Sequence, residues 1–207
     1  MKYYVVHNDK LTERKKRLNI PNAEWVTTFP VEEVGNLTKI THVPVGYISG
    51  SMKHYDIMDR MIRDDVKEAI VFEDDVIITE FFNPDKIPRQ FPFVKLGKGT
   101  PDMGIQLGDT PIIIGNNAGA EAFYVTQDFA REFIKNIDLQ WTIDIEQHAF
   151  LISRGIPLVC VPMCYQEFDT SFNTKTYEPP YSWQEYVRRY QTSEKMTFEY
   201  LKKLCIE

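Results

Sequence analysis

The sequence is poor in the residues that crosslink a small protein or anchor it in a membrane. It has three cysteines among 207 residues, Cys160, Cys164 and Cys205. Cys160 and Cys164 form a CxxxC pair without the second pair that a zinc site needs, so we expect reduced thiols rather than disulfides or structural zinc. No apolar run approaches the length of a membrane-spanning helix, so we expect no membrane span.

Positive charge is also scarce. Lysine and arginine number 24 against 30 acidic residues, which gives a net charge of −6. A general nucleic-acid-binding protein needs a basic surface that displaces counterions, so we expect no nucleic-acid partner. Residues 1–6 run directly into a strand without the charged start and long apolar core of a signal peptide, so we expect a cytoplasmic protein.

Glycine-rich nucleotide motifs are missing as well. No glycine fingerprint follows the first predicted strand, residues 3–6, and the stretch 97–100 lacks the GxxxxGK[ST] spacing of a phosphate loop. The turn at His7 and Asn8 and the basic helix predicted for residues 12–19 offer a different phosphate cradle, a helix N-terminus with cations. A solvated basic helix face is the alternative interpretation.

Strand and helix patterns alternate along the chain, which is typical of a layered α/β domain. Further strands are predicted at 23–28, 40–45, 69–78, 111–115, 122–125 and 157–161. Further helices are predicted at 51–64, from 126 onward, at 144–154 and twice in the tail, with an irregular excursion at 79–111. We expect one domain over residues 1–167, with a mixed, mostly parallel sheet flanked by helices, and a helical extension over 168–207 packed on it.

The stretch 69–78 is the most informative, because an apolar strand is interrupted by Glu73, Asp74 and Asp75. An unpaired buried carboxylate is costly, so these acids must lie at an opening. In open α/β sheets that opening is the crevice at the carboxyl ends of the strands, where ligands bind. A solvated strand end is the alternative, but apolar residues resume at once at Val76. The pattern therefore favours a divalent-metal site.

Two further groups are candidates for the site. Asn116, Asn117 and Gly119 lie between predicted strands, where small residues let a ligand approach the backbone and the amides donate and accept; an ordinary turn explains them equally well. Asp144 and Glu146 lie in the first turn of a predicted helix, where they either serve the chemistry or complement the helix dipole.

The order of these parts resembles the metal-dependent glycosyltransferases of the GT-A fold, in particular the LPS-biosynthesis or family 25 type. The resemblance covers roughly residues 1–165, and its four places are residues 5–8 with Glu13 and Arg14, residues 49–54, residues 72–76, and residues 119–125. It departs at Lys53, where serine is usual, and at 161–166, where many members carry a histidine metal ligand. The chain is also similar to glycosyltransferase domains of chlorella-virus proteins that glycosylate capsids, which would make it a module of a larger multidomain protein in the host cytoplasm.

The resemblance implies a GT-A fold and transfer of a sugar from a nucleotide-diphosphate sugar, by family habit a UDP-sugar, to a hydroxyl of a glycan acceptor. It implies Mn²⁺ or Mg²⁺ on a DxD-type motif, with Asp75 as the direct ligand and Glu73 in support. Asp144 would be the catalytic base of an inverting reaction, with Glu146 in reserve. The donor nucleotide would be held by His7, Asn8, Arg14, His54, Asp74 and Asp75, and the sugars by Asn116, Asn117 and Gly119.

Other functions stay open from the sequence. A nucleotidyltransferase would use the same acids to hold Mg²⁺ and a nucleoside triphosphate. A catalytically silent carbohydrate-binding or scaffold domain would bind glycans without metal or nucleotide. Tyr177, Tyr181 and Trp183 offer stacking surfaces for sugar rings in either kind of protein, and packing between helices explains them equally well. The donor sugar, the acceptor hydroxyl and the stereochemistry are left undetermined.

Overall fold

The computed structural model describes residues 1–98, 105–114, 119–166 and 183–206. The strands are β1 (Lys2–Val6), β2 (Glu24–Val26), β3 (Glu68–Glu73), β4 (Val76–Ile78), β5 (Phe93–Gly97), β6 (Ile112–Ile113), β7 (Ala122–Thr126) and β8 (Val159–Gln166). The helices are α1 (Thr12–Arg17), α2 (Val45–Arg63), α3 (Gln127–Phe133), α4 (Ile143–Ser153), α5 (Trp183–Thr192) and α6 (Phe198–Ile206).

The strands form one sheet in the order β2-β1-β3-β7-β5-β8-β4, with β6 paired to β8. The prediction of a mixed α/β sheet flanked by helices is confirmed, and the arrangement is compatible with a Rossmann-like fold. The prediction that it is mostly parallel is wrong for the described strands. β1 runs parallel to β2 and β3, and β5 to β8, but the other four pairs are antiparallel. The reason is that β7 enters the middle of the sheet antiparallel to both β3 and β5.

Two predicted segments are corrected. Residues 40–45 are not a strand: a 3₁₀ turn (Gly35–Lys39) precedes them, and α2 begins at Val45, directly after Pro44. Proline favours a helix start, and it outweighed the β-branched residues around it. Residues 79–111 are not wholly irregular, because they contain the buried strand β5, whose short apolar run was obscured by neighbouring proline and glycine.

The predicted strand at 69–78 is two strands. β3 ends at Glu73, Asp74 and Asp75 form a turn, and β4 starts at Val76. β3 lies inside the sheet between β1 and β7, whereas β4 pairs with β8. The acids therefore lie where the chain leaves one part of the sheet for another.

Both faces of the sheet are buried. Alternate residues of β3 point to opposite sides, so Val71 joins the core beneath α2, α3 and α4, while Ile70 and Phe72 join the core on the other face. Double burial explains why the central strands lack polar alternation. Helices α5 and α6 contribute Tyr190 and Phe198 to the core beneath α2.

The three cysteines are free thiols, as expected from their odd number. Burial raises the pKa of Cys160 to about 12, so this thiol is unreactive at neutral pH. Among the helices that the structure describes, none is both long and apolar enough to cross a membrane.

Candidate functional site

A cleft of about 540 Å³ opens at the carboxyl ends of β1 and β3. One wall carries Glu73, Asp74 and Asp75, and the floor is formed by the end of β1 with His7 and Asn8. Another part of the cleft is lined by α2 and the residue before it. Its lining residues are Pro44, Val45, Gly46, Tyr47, Ser49, Gly50 and Lys53. The volume is in the range of pockets that hold a nucleotide-sized ligand.

Asp74 connects the end of β1 and the helix α1 through hydrogen bonds. Its Oδ2 lies 2.8 Å from Nδ1 of His7 and accepts a 3.3 Å hydrogen bond from the backbone N–H of Asn8. Its Oδ1 accepts a 2.8 Å bond from Arg14. Asp74 is buried and its acceptors are occupied by the chain itself. Its geometry is that of an anchor for the β1 turn and α1, although the resemblance implied contact with the donor.

Asp75 has acceptor capacity left over. Its Oδ2 accepts hydrogen bonds from Gln166 at 3.1 Å and from Arg14 at 3.4 Å. Its Oδ1 is buried and has no hydrogen-bond partner within the described residues. Burial, and next the charge of Glu73, raise the pKa of Asp75 to about 7. Oδ1 of Asp75 is therefore a buried carboxylate oxygen that no described residue pairs with.

Glu73 adds a second carboxylate beside it. Its backbone N–H donates to the carbonyl of Glu121 at 2.9 Å, and its side chain is 26% exposed at the cleft. Burial, and then the charges of Glu121, Asp144 and Asp74, raise the pKa of Glu73 to about 8. The cleft wall therefore carries more negative charge than its surroundings neutralise.

His54 supports Glu73 from behind. Its Nε2 lies 3.3 Å from Oε1 of Glu73, and its ring packs 5.5 Å from that of Phe123. Its side chain is buried and does not line the cleft. Burial lowers the pKa of His54 to about 3, so the imidazole is neutral. The structure places it as a support for Glu73 rather than at the cleft surface where the predicted donor contact would be made.

A second layer connects Gly119 to Asp144. Gly119 has φ +102°, its N–H donates to Oδ2 of Asp144 at 2.7 Å, and its carbonyl accepts from Lys95. Lys95 lies 3.8 Å from Oε2 of Glu121, and a Cβ added to Gly119 or Gly97 would overlap the Glu121 carboxylate. Position 119 thus requires glycine, because its φ is positive and because a Cβ would overlap the Glu121 carboxylate. The backbone N–H and carbonyl of Gly119 both form hydrogen bonds within the protein.

The remaining predicted residues are either enclosed in the core or outside the described part of the chain. Glu146, the reserve base, is fully buried and accepts hydrogen bonds from the Tyr55 hydroxyl at 2.5 Å and the backbone N–H of Asp138 at 2.6 Å. It is sealed inside the core, so the reserve role is wrong. Asn116 and Asn117 lie outside the described residues, as do Tyr177 and Tyr181 of the tail.

Four residues near the site were missed from the sequence, namely Lys53, Lys95, Glu121 and Gln166. Lys95 had a usable signal, because it is the lone charge in an apolar strand. Gly46 and Gly50 precede Lys53 and are four residues apart, a spacing that places them on the same face of a helix. Glu121 and Gln166 reach the site only through strand pairing, which a single sequence does not reveal.

The carboxylates of Glu73 and Asp75 suit a cation that takes its remaining ligands from other molecules. Within the described residues, no group of three or more His, Cys, Asp or Glu side chains is arranged to hold a metal alone. Asp75 and Glu73 offer oxygen donors, one of them a buried oxygen without a partner. Mg²⁺ and Mn²⁺ accept such oxygens and take further ones from phosphates and water. The pair therefore fits a metal that is shared with a phosphorylated ligand.

Comparison with known proteins adds no relative: no model of a protein family matches the sequence, and no curated protein matches it significantly.

Proposed function

We propose that the protein is a metal-dependent glycosyltransferase of GT-A type, which uses a nucleotide-diphosphate sugar, by resemblance a UDP-sugar, as donor and a glycan hydroxyl as acceptor. The observation that carries the proposal is the buried Oδ1 of Asp75, which has no partner in the described chain and lies beside Glu73 on the wall of a nucleotide-sized cleft.

The residues around the cleft support this function through charge. Burial raises the pKa values of both Glu73 and Asp75, and the charges of neighbouring carboxylates raise them further, which is the condition that a divalent cation relieves. Such a cation, when bound, neutralises the diphosphate leaving group. Asp74 and Arg14 keep the β1 turn in place, so His7 and Asn8 present a fixed surface for the nucleotide.

The proposed base is Asp144. It lies in the first turn of α4 and lines a small pocket with Lys95 and Gly119 rather than the cleft itself. It is near enough to Glu73 for its charge to raise the pKa of Glu73. The N–H of Gly119 holds one carboxylate oxygen, which leaves the other to accept a proton from the acceptor hydroxyl. The base is thus oriented by a backbone group that no side-chain substitution removes.

The test is calorimetric titration of UDP, CDP, GDP and ADP, with and without Mn²⁺, followed by a donor hydrolysis assay with sugars of the nucleotide that binds. We expect Mn²⁺-dependent binding of one nucleoside diphosphate, and at least about tenfold weaker binding by Asp75→Asn. Asp109→Asn is the matched control, because that carboxylate is exposed and does not line the cleft. Failure of all four diphosphates to bind in the presence of Mn²⁺ would overturn the proposal.

A further inference from the structure

The ammonium group of Lys53 is buried in the wall of the cleft. Lys53 is 5% exposed, yet it lines the cleft that the acids also line. Its Nζ donates to Oγ of Ser49 at 2.7 Å and to the carbonyl of Phe29 at 3.5 Å. An ammonium has three protons, and the described chain supplies these two neutral acceptors.

Lys53 also has no counter-ion among the described residues. None of the ion pairs formed within the described part of the chain includes it. Burial lowers its pKa, while the more distant charges of Asp9, Asp74, Glu32 and Glu33 act in the opposite direction. A buried charge without a partner is costly, so such a group is retained where an external ion pairs with it.

The surrounding helix face is shaped to admit an anion. Gly46 and Gly50 lie on the face of α2 that carries Lys53, and a Cβ added to either would meet no atom within 4 Å. Pro44, the residue directly before α2, forms no side-chain cap, so the positive end of the 19-residue helix is open to the cleft. The backbone is therefore accessible to a ligand, as at known phosphate sites.

We propose that Lys53, together with the Gly46 and Gly50 face of α2, forms the subsite that binds the phosphate groups of the ligand. The inference rests on the proposed function for the identity of that ligand, a nucleoside diphosphate. It adds that α2 and Lys53 bind the diphosphate directly, whereas the carboxylates of Glu73 and Asp75, which repel phosphate, would act on it through the cation that they hold.

The experiment compares wild type with Lys53→Met. Lys135→Met is the control for loss of an exposed lysine, because Lys135 lies in the turn after α3. Uridine, UMP, UDP, the other three nucleoside diphosphates and inorganic pyrophosphate are titrated with Mn²⁺ by calorimetry. We expect Lys53→Met to bind the preferred diphosphate about 10- to 100-fold more weakly, and Lys135→Met to bind like wild type. Lys53→Arg, which keeps the charge, should recover part of the affinity.

Thermal unfolding separates a binding role from a structural one. Methionine keeps most of the lysine stem without the buried charge, so Lys53→Met should unfold at the wild-type temperature or higher. The proposal is overturned if Lys53→Met binds the diphosphate like wild type. It is also overturned if a folded Lys53→Met loses affinity equally for the nucleoside and its diphosphate, because the contact is then with base or ribose.

The two proposals fail in different ways. If no nucleotide binds but pyrophosphate binds in a Lys53-dependent manner, the glycosyltransferase proposal fails and the phosphate subsite stands. If a diphosphate binds wild type and all lysine variants alike, the glycosyltransferase proposal stands and the subsite fails. If none of the probes binds wild type, both fail.

Discussion

The guanidinium of Arg14 lies 2.8 Å from Oδ1 of Asp74, and this ion pair ties the short helix α1 to the end of the acidic strand β3. Both side chains are nearly buried, with exposed fractions of 12% and 8%. The part of the cleft formed by the β1 turn is thus fixed by a contact between residues that are 60 positions apart in the sequence.

Loss of this anchor should destabilise the fold. Asp74→Ala would remove the acceptor that lies 2.8 Å from Arg14, and the acceptor of the Asn8 N–H, in a nearly buried position. We expect the free energy of unfolding to fall by about 3 kcal/mol, as for other broken buried pairs. Urea denaturation measures this change.

The matched control for that experiment is Glu13→Ala on the same helix. Glu13 pairs with Lys16 at the surface, where solvent screens the charges, so we expect no measurable change in stability. If Asp74→Ala and Glu13→Ala unfold at the same urea concentration, Asp74 is not an anchor.

Mn²⁺ binding should tighten as the pH rises. The pKa values of Asp75, about 7, and Glu73, about 8, mean that protons occupy this pair near neutral pH. These protons must leave before a cation binds, so affinity should increase between about pH 6 and about pH 8.5, with proton release on binding. Calorimetry in buffers of different ionisation enthalpy counts the protons, and a pH-independent affinity would contradict this prediction.

Stability without metal should change in the opposite direction. The two folded pKa values lie above the unfolded ones, 3.8 for Asp75 and 4.5 for Glu73, so the folded state binds more protons between those limits. The free energy of unfolding should therefore decrease as the pH rises from about 4 to about 8. In Asp75→Asn the decrease in the free energy of unfolding should be smaller. Part of the decrease that remains comes from Glu146, because burial raises the pKa of Glu146 to about 7.

Asp144 and Glu146 should respond differently to neutral substitution. Asp144→Asn should reduce donor turnover at least about 100-fold while nucleotide binding is retained, because the amide oxygen still accepts from Gly119 but no base remains. Glu146→Gln should keep turnover within a few-fold of wild type, since Glu146 is enclosed by Tyr55 and Asp138. The reverse order of the two variants in a turnover assay would remove Asp144 as the base.

Gly50→Ala should stabilise the fold and weaken ligand binding. Gly50 is inside α2 and an added methyl group meets no atom, so the variant should gain about 0.5 to 1 kcal/mol. The same methyl group occupies cleft space that the diphosphate needs. Thermal unfolding and calorimetry measure the two effects, and Gly35→Ala, also unobstructed but outside the cleft, should leave affinity unchanged. Unchanged affinity in Gly50→Ala would show that the ligand does not use this wall.

Local patterns predicted much of the framework. The first strand, the apolar run that ends in Glu73, and the helices from Thr126 and Asp144 are close to those in the structure. These elements are long or strongly apolar, and their periodicity is a property of adjacent residues. The errors lie at 40–45 and 79–111, where proline and glycine conceal the element type. Whether α2 starts at residue 45 or 51 matters, because only the earlier start exposes Gly46 and Gly50 to the cleft.

The sequence by itself determined that three acids end a buried strand, and that such acids need an opening, because the cost of burying a carboxylate does not depend on the rest of the fold. Only the tertiary structure decided how the acids divide. Strand pairing and α1 bring His7 and Arg14 to Asp74, which leaves Asp75 and Glu73 for a ligand. The tertiary structure also decided that Lys53 lines the same cleft as these acids, since the packing of α2 against the sheet is set by contacts distant in the chain.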